Sequence, residues 1–182
     1  EHQAPLSDII NRDFYKNSNA VLCQSTFHKN IVQSNLDLDN VVNLSGNMWS
    51  DESLEKISVF SLESKSDSCA IMDSQISHKN TQGAVLYCKK NNLSYELIPN
   101  CEYHKFLERL SKHKYFIFFP QTPETLSRVI VEARMMGMKV ITNNLVGASR
   151  EEWFKFKGEE LIDVIKNKKN EITETVIKTF EA

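Results

Sequence analysis

The chain has 182 residues, 41% of them hydrophobic, and 22 Lys and Arg stand against 24 Asp and Glu for a formal net charge of −2. That is enough apolar material for one core, or for one domain and part of another, and too balanced a charge for a general nucleic-acid binder. No apolar run approaches the roughly 20 residues of a membrane span, and the composition is not that of a disordered chain.

Taken in order, the apolar periodicity predicts a strand at 20–23, a helix at 28–36 and a strand at 40–44. Asp37-Leu38-Asp39 reads as a surface turn between the last two. Ser45-Gly46-Asn47-Met48-Trp49-Ser50-Asp51 then interrupts the pattern. A strand follows at 69–72, and after a polar turn holding His78, Lys79 and Asn80 a helix runs from about 81 to 91. The next strand, 95–98, is closed by Pro99-Asn100, and a helix at 103–113 turns Phe106, Leu107 and Leu110 inward, leaving His104 and His113 on its surface. Residues 116–119 are too short and too aromatic for a free helix and suit a strand buried on both faces. A helix at 126–136 ends at Gly137, as a glycine just past a last turn commonly does, and 139–142 is a further strand. Two C-terminal helices are expected between 159 and 180, with Lys166–Asn170 a solvated turn between them. This alternation predicts an α/β fold with a doubly wound parallel sheet, its loops gathered on one edge.

Few chemical motifs stand outside that pattern. The four cysteines, Cys23, Cys69, Cys88 and Cys101, have no zinc-ligand spacing, and three lie in apolar patterns as buried thiols, which suits a reducing cytoplasm. The five histidines show no metal spacing, no Ser/His/Asp set assembles, and no glycine-rich dinucleotide or phosphate loop occurs. Trp153-Phe154 reads as packing for a loop or helix start.

The stretch between the last two strands is different. Glu124 and Glu132 lie eight positions apart, one at the mouth of the predicted helix and one inside it. Ligands of parallel α/β folds gather at such a mouth, where free N–H groups favour an anion such as a diphosphate. Two plainer readings stay open. Arg128 and Glu132 have the i,i+4 spacing of a surface ion pair, and Glu124 has the place of a carboxylate favoured by the helix dipole.

The order Glu124, Glu132-Ala133, Gly137, Val140-Ile141-Thr142 and Val146-Gly147-Ala148-Ser149-Arg150-Glu151 resembles the signature region of retaining glycosyltransferases of the GT-B fold, group-1 or family-4 type. The resemblance implies a Rossmann-like half of such a fold, preceded by a partial second α/β domain. Residues 1–45 would be the tail of an N-terminal, acceptor-side domain, 46–51 the hinge and 52–182 the donor-binding domain, with most of the N-terminal domain missing. It also implies transfer of a sugar, with retention, from a nucleotide-diphosphate sugar (UDP or GDP) to a glycan or lipid-linked acceptor, in surface polysaccharide synthesis. No metal or other cofactor and no nucleic acid is expected. The class is cytoplasmic and allows peripheral membrane association of a full-length protein.

By the same resemblance, Glu124 would hold hydroxyls of the donor sugar, with the backbone amides of Thr125 and Leu126 facing sugar or phosphate. Glu132 would accept the two ribose hydroxyls. Lys79, in Lys79-Asn80-Thr81-Gln82-Gly83, matches the phosphate-binding lysine, and Ile98, Pro99 and Asn100 lie where the family's loop touches the base. The chain departs from the pattern at two places. Asp73 and Ser74 stand where the family usually has Gly-Arg, and Thr125-Leu126-Ser127 replaces Gly-Phe-Gly. The missing arginine favours a second reading, a non-catalytic α/β nucleotide-binding or assembly module derived from such an enzyme.

Overall fold

A computed structural model describes residues 11–181. A short helix, α1 (Arg12–Lys16), leads into β1 (Val21–Cys23), α2 (Thr26–Leu36) and β2 (Val41–Asn43). β1 and β2 pair in parallel as a two-stranded sheet of their own. Beyond the linking segment come α3 (Asp51–Ser61), β3 (Ser66–Asp73), a 3₁₀ turn (Ser77–Lys79), α4 (Thr81–Lys90), β4 (Tyr95–Pro99), α5 (Tyr103–Ser111) and β5 (His113–Phe118). α6 (Arg128–Met135), β6 (Lys139–Thr142), two 3₁₀ turns (Gly147–Arg150 and Glu152–Lys155) and α7 (Glu159–Glu181) complete the chain.

The second sheet has the order β4-β3-β5-β6, with every pairing parallel. Successive side chains of a strand point to opposite faces. Accordingly Ala70, Phe116 and Phe118 enter one core, and Cys69, Ile71 and Ile117 enter the other. Helix α4 covers the second core with Ala84, Val85 and Cys88. The first core is closed by Leu54 and Ile57 of α3, Leu107 and Leu110 of α5, Ile130 of α6, and Leu161 and Ile165 of α7. The fold is therefore the expected α/β architecture with helices on both faces of a parallel sheet. The chain runs from β3 outward to β4, then crosses back to β5 on the other side of β3. The crevice beyond the carboxyl ends of β3 and β5 is thus a point where the strand order reverses.

Several local expectations are corrected. Helix α6 begins at Arg128, not 126, because Ser127 takes a left-handed φ of 68° and Glu124 is engaged in a parallel bridge with Val146. The two expected C-terminal helices are one. No Gly or Pro interrupts Glu159–Glu181, and the Lys166–Asn170 run stays helical, with Lys168 paired to Glu171 at 2.6 Å and Lys169 to Asp51 at 3.1 Å. Helix α3, capped by the Ser50 hydroxyl on the Ser53 N–H, was not anticipated from the pattern. His113 is not a helix-surface residue. It opens β5, is buried, and its Nδ1 lies 2.7 Å from Ser68 Oγ. Cys23, Cys69 and Cys88 are buried free thiols, as expected, and burial pushes the Cys69 thiol up to about 12.

Burial lowers the pKa of His113, against a raising effect of Glu96, and burial lowers that of His28 as well. Both are therefore neutral in the folded chain at pH values where an unfolded histidine already takes up a proton. Their contribution is complete above about 6.5, the ordinary histidine value, and is lost as pH falls below it. The urea midpoint should therefore fall between pH 7 and pH 5, and His113→Asn should flatten that slope. An unchanged slope in the variant would remove His113 from the account.

Candidate functional site

Lys79 and Glu124 meet across the switch point. Lys79 closes the 3₁₀ turn after β3, and Asn80 behind it sits at φ 56°, where an asparagine is tolerated. The Asn80 carboxamide accepts the Gly83 N–H to start α4 and donates to the Phe119 carbonyl at 2.9 Å, while Gln121 N–H donates to the His78 carbonyl. These contacts tie the loop after β3 to the loop after β5. Lys79 Nζ then lies 2.7 Å from Glu124 Oε1, with the two side chains only 25% and 16% exposed, and 5.7 Å from the centre of the Phe118 ring.

Glu124 is held by its backbone. Its N–H donates to Leu145 O and its carbonyl accepts the Gly147 N–H, and the next turn adds Ala148 N–H to Leu126 O. The Thr125 carbonyl accepts the Ser25 hydroxyl at 2.5 Å, and the Thr125 hydroxyl donates to Gln24 Oε1 at 2.9 Å. Among the described residues the N–H groups of Thr125 and Leu126 donate to no hydrogen bond, while the Leu126 side chain is buried in the core. A cavity of about 390 Å³ opens beside this pair, walled by Asp73, Ser74, Gln75, Lys79, Asn100 and Phe106. Of the base-loop residues expected from sequence, Asn100 reaches this cavity, Pro99 ends β4 opposite Asp73, and Ile98 points into the core.

Glu132 forms a separate cluster. It is 3% exposed, and its Oε1 accepts both the Trp49 indole N–H and the Tyr103 hydroxyl, each at 2.9 Å. Arg128 Nε lies 3.6 Å from the same oxygen, with its guanidinium 4.7 Å above the Trp49 ring. Among the described residues no hydrogen bond reaches Glu132 Oε2. Burial, and then the Glu132 charge, push the Tyr103 phenol upward, so it remains a donor at neutral pH. Glu132 is thus not a solvent-facing partner of Arg128, and neither it, Trp49 nor Tyr103 lines the 390 Å³ cavity.

The Gly147–Glu151 turn joins the two sheets. The buried Glu151 carboxylate accepts Thr26 N–H at 2.6 Å on one oxygen and the Ser45 hydroxyl at 2.5 Å on the other. Trp153 Nε1–H donates to the Ser45 carbonyl at 2.8 Å. Glu151 appears in the sequence motif, but its bond from the first N–H of α2 carries no local signal, nor do the contacts of Trp49 and Tyr103. Among the described residues no group of three or more His, Cys, Asp or Glu is placed to hold a metal ion. No described helix is long and apolar enough to cross a membrane.

No family model matches the chain, and the comparison with curated proteins finds no match either. Among solved structures it is similar to a glycosyltransferase from Rickettsia africae ESF-5, at 15% identity and a TM-score of 0.49 over 95% of this chain. The match spans 58% of that protein's chain.

Two substitutions test the geometry. A Cβ at Gly147 would run into the Thr125 carbonyl and the Ser25 hydroxyl, a backbone and a tethered group that cannot withdraw. Gly147→Ala should therefore cost about 1–3 kcal/mol of stability, read as a lowered urea midpoint at unchanged m. Trp49→Phe removes one of the two donors to a buried carboxylate and should cost about 1–3 kcal/mol. A neutral result would mean that water replaces the indole.

Proposed function

We propose that this chain is the nucleotide-sugar-binding half of a retaining glycosyltransferase. The observation that supports this best is the Lys79–Glu124 pair, placed at the reversal point of a parallel sheet beside a cavity and next to two free backbone N–H groups. Residues 1–45 would belong to an acceptor-side domain, 46–51 to the hinge and 52–182 to the donor domain. The product would be a surface glycan.

The difficulty of the reaction is charge on the departing diphosphate and on an oxocarbenium-like sugar. Lys79 would meet the diphosphate, together with the N–H groups of Thr125 and Leu126. Drawing Lys79 toward phosphate frees a Glu124 oxygen to accept hydroxyls of the sugar. The acceptor oxygen forms the new bond to the anomeric carbon on the face the diphosphate leaves. The old carbon–oxygen bond breaks with its electron pair on the diphosphate, which takes the acceptor's proton. Glu132 would take ribose hydroxyls on Oε2, the oxygen that Trp49 and Tyr103 leave free. Base contact would fall to the backbone after β4, near Asn100. No metal is called for in this scheme.

A second reading, a non-catalytic nucleotide-binding or assembly module, is favoured by Asp73, an acid on the cavity wall where a diphosphate would lie. Calorimetric titration and a transfer assay together separate the two. UDP or GDP should bind, and Lys79→Ala and Glu132→Ala should each weaken binding about tenfold, or about 1.4 kcal/mol. Sugar transfer by the full-length protein should vanish in Glu124→Ala. No binding of either nucleotide would leave only the assembly module standing.

A further inference from the structure

We infer that Tyr103 is a gate on the ribose seat: its phenol hydroxyl stands on Glu132 in the place of a ribose hydroxyl, and a nucleotide reaches that carboxylate only by turning the tyrosine out. This rests on the donor-binding reading of Glu132. The residue is 3% exposed, and its Oε2, without a hydrogen bond among the described residues, is shut in with it. Three side chains cover the carboxylate: Trp49, Arg128 and Tyr103. A diol that binds here has to move one of them.

Two of the three are held by other contacts. Trp49 is 3% exposed and lies in the larger hydrophobic core. Arg128 has its guanidinium 4.7 Å above the Trp49 ring and its Nη1 3.4 Å from the Met48 carbonyl. Tyr103 is 36% exposed, and among the described residues its hydroxyl makes no hydrogen bond besides the one to Glu132. It is the first residue of α5, so no earlier turn of the helix crowds its side chain when χ1 changes. Nor does the helix start depend on it. The Glu102 carboxylate holds that start by accepting the His104 and Lys105 N–H groups at 3.0 Å each.

The place of Tyr103 in the chain says what turns it. Asn100 and Phe106, three residues before and after it, both wall the 390 Å³ cavity beside Lys79. Tyr103 and Phe106 are i,i+3 neighbours on one face of α5. Met72, Ile76 and Phe106 give the cavity wall apolar surface for a flat base. A base near Asn100 and a diphosphate at Lys79 bring the ribose that joins them to this side of Tyr103. The exchange is then close to even in energy. The phenol gives up one hydrogen bond to a charged oxygen, and the ribose hydroxyls supply donors of the same kind. A nucleotide without 2′ and 3′ hydroxyls cannot make the exchange and leaves Tyr103 where it is. The gate therefore makes the site sense the diol.

The test sets UDP and GDP against their 2′,3′-dideoxy counterparts on the full chain, by calorimetric titration. Tyr103→Phe removes the competing hydroxyl. The ribonucleotide that binds should then bind about tenfold more tightly, the scale of one hydrogen bond to a charged group, with its dideoxy counterpart unchanged. Weaker ribonucleotide binding in Tyr103→Phe would mean a brace that stays on Glu132, and it would overturn the gate. An equal change for both nucleotides would overturn it too. The unaltered chain gives a second reading that needs no variant to fold. Trp49 shares Oε1 with Tyr103, and the chain's other tryptophan is Trp153. The ribonucleotide should shift the Trp49 indole N–H resonance and leave that of Trp153 in place, while the dideoxy nucleotide shifts neither. A Trp49 resonance that saturating ribonucleotide leaves unmoved, or that both nucleotides move alike, is the contrary result. The donor reading fails separately. No binding of UDP or GDP removes the ribose seat and the gate together, whereas nucleotide binding weakened by both Glu132→Ala and Tyr103→Phe overturns the gate alone.

Discussion

The carbonyl oxygen of Thr125 is a point where the segments around the two sheets come close together. It accepts the Ser25 hydroxyl, and it lies where any side chain at position 147 would have to go. Gly147 leaves that volume empty, so the loop after β5 can lie flat between the start of α2 and the turn after β6. The bridge between Glu124 and Val146 then sets the direction of the Glu124 side chain. The place proposed for Glu124 depends on that close approach. The loop walls a groove beside α2, while the cavity beside Lys79 is walled by the end of β3, the loop after it, Asn100 and Phe106. The left-handed Ser127 follows from the bridge at Glu124. A chain that leaves a parallel bridge at Glu124 and must enter a helix at Arg128 has three residues in which to turn, and a positive φ makes the turn at some strain.

An ion pair in this position carries opposing terms. Removing Lys79 and Glu124 from water costs solvation, and their attraction at 2.7 Å offsets it without a clear surplus for stability. Such a pair is better suited to exchange than to bracing the fold. A phosphate competing for Lys79 meets a cation whose partner has somewhere else to place its charge, on sugar hydroxyls or an acceptor. On the transferase reading proposed above, the pair would keep each group occupied until both substrates replace the contact.

How far this was legible in the sequence follows from how local each signal is. The buried strands around Ala70 and Phe116 announce themselves by short apolar runs, and α4, α5 and α6 by periodicity, so the doubly wound sheet could be read. Lys79 and Glu124 could be placed because each follows a strand whose loop must open on the same edge. Helix boundaries failed where the deciding contact was distant. Nothing near Leu126 says that Val146 will pair with Glu124, and nothing near His113 says that Ser68 waits across the sheet. The C-terminal helix was divided because a run of Lys and Asn resembles a turn in composition, although no helix-breaking residue lies in it. The partners of Glu132 come from 83 and 29 residues away and had no local pattern at all.

Those partners give the buried carboxylate its meaning in the fold. A charge so enclosed is costly unless donors replace water. Glu132 receives two on one oxygen, with Arg128 close enough to add its positive field while it stacks on the indole. Trp49 belongs to the segment between the two sheets, Tyr103 to the start of α5, and Glu132 to the middle of α6. One carboxylate thus pins the linking segment against the helices of the larger sheet. Ser45 near the other end of that segment is pinned by Glu151 and Trp153. A linker anchored at both ends by buried carboxylates cannot serve as a free swivel. Any reorientation of the smaller sheet has to break one of these contacts first, and ribose hydroxyls taken on the free oxygen of Glu132 would share the carboxylate that holds Trp49.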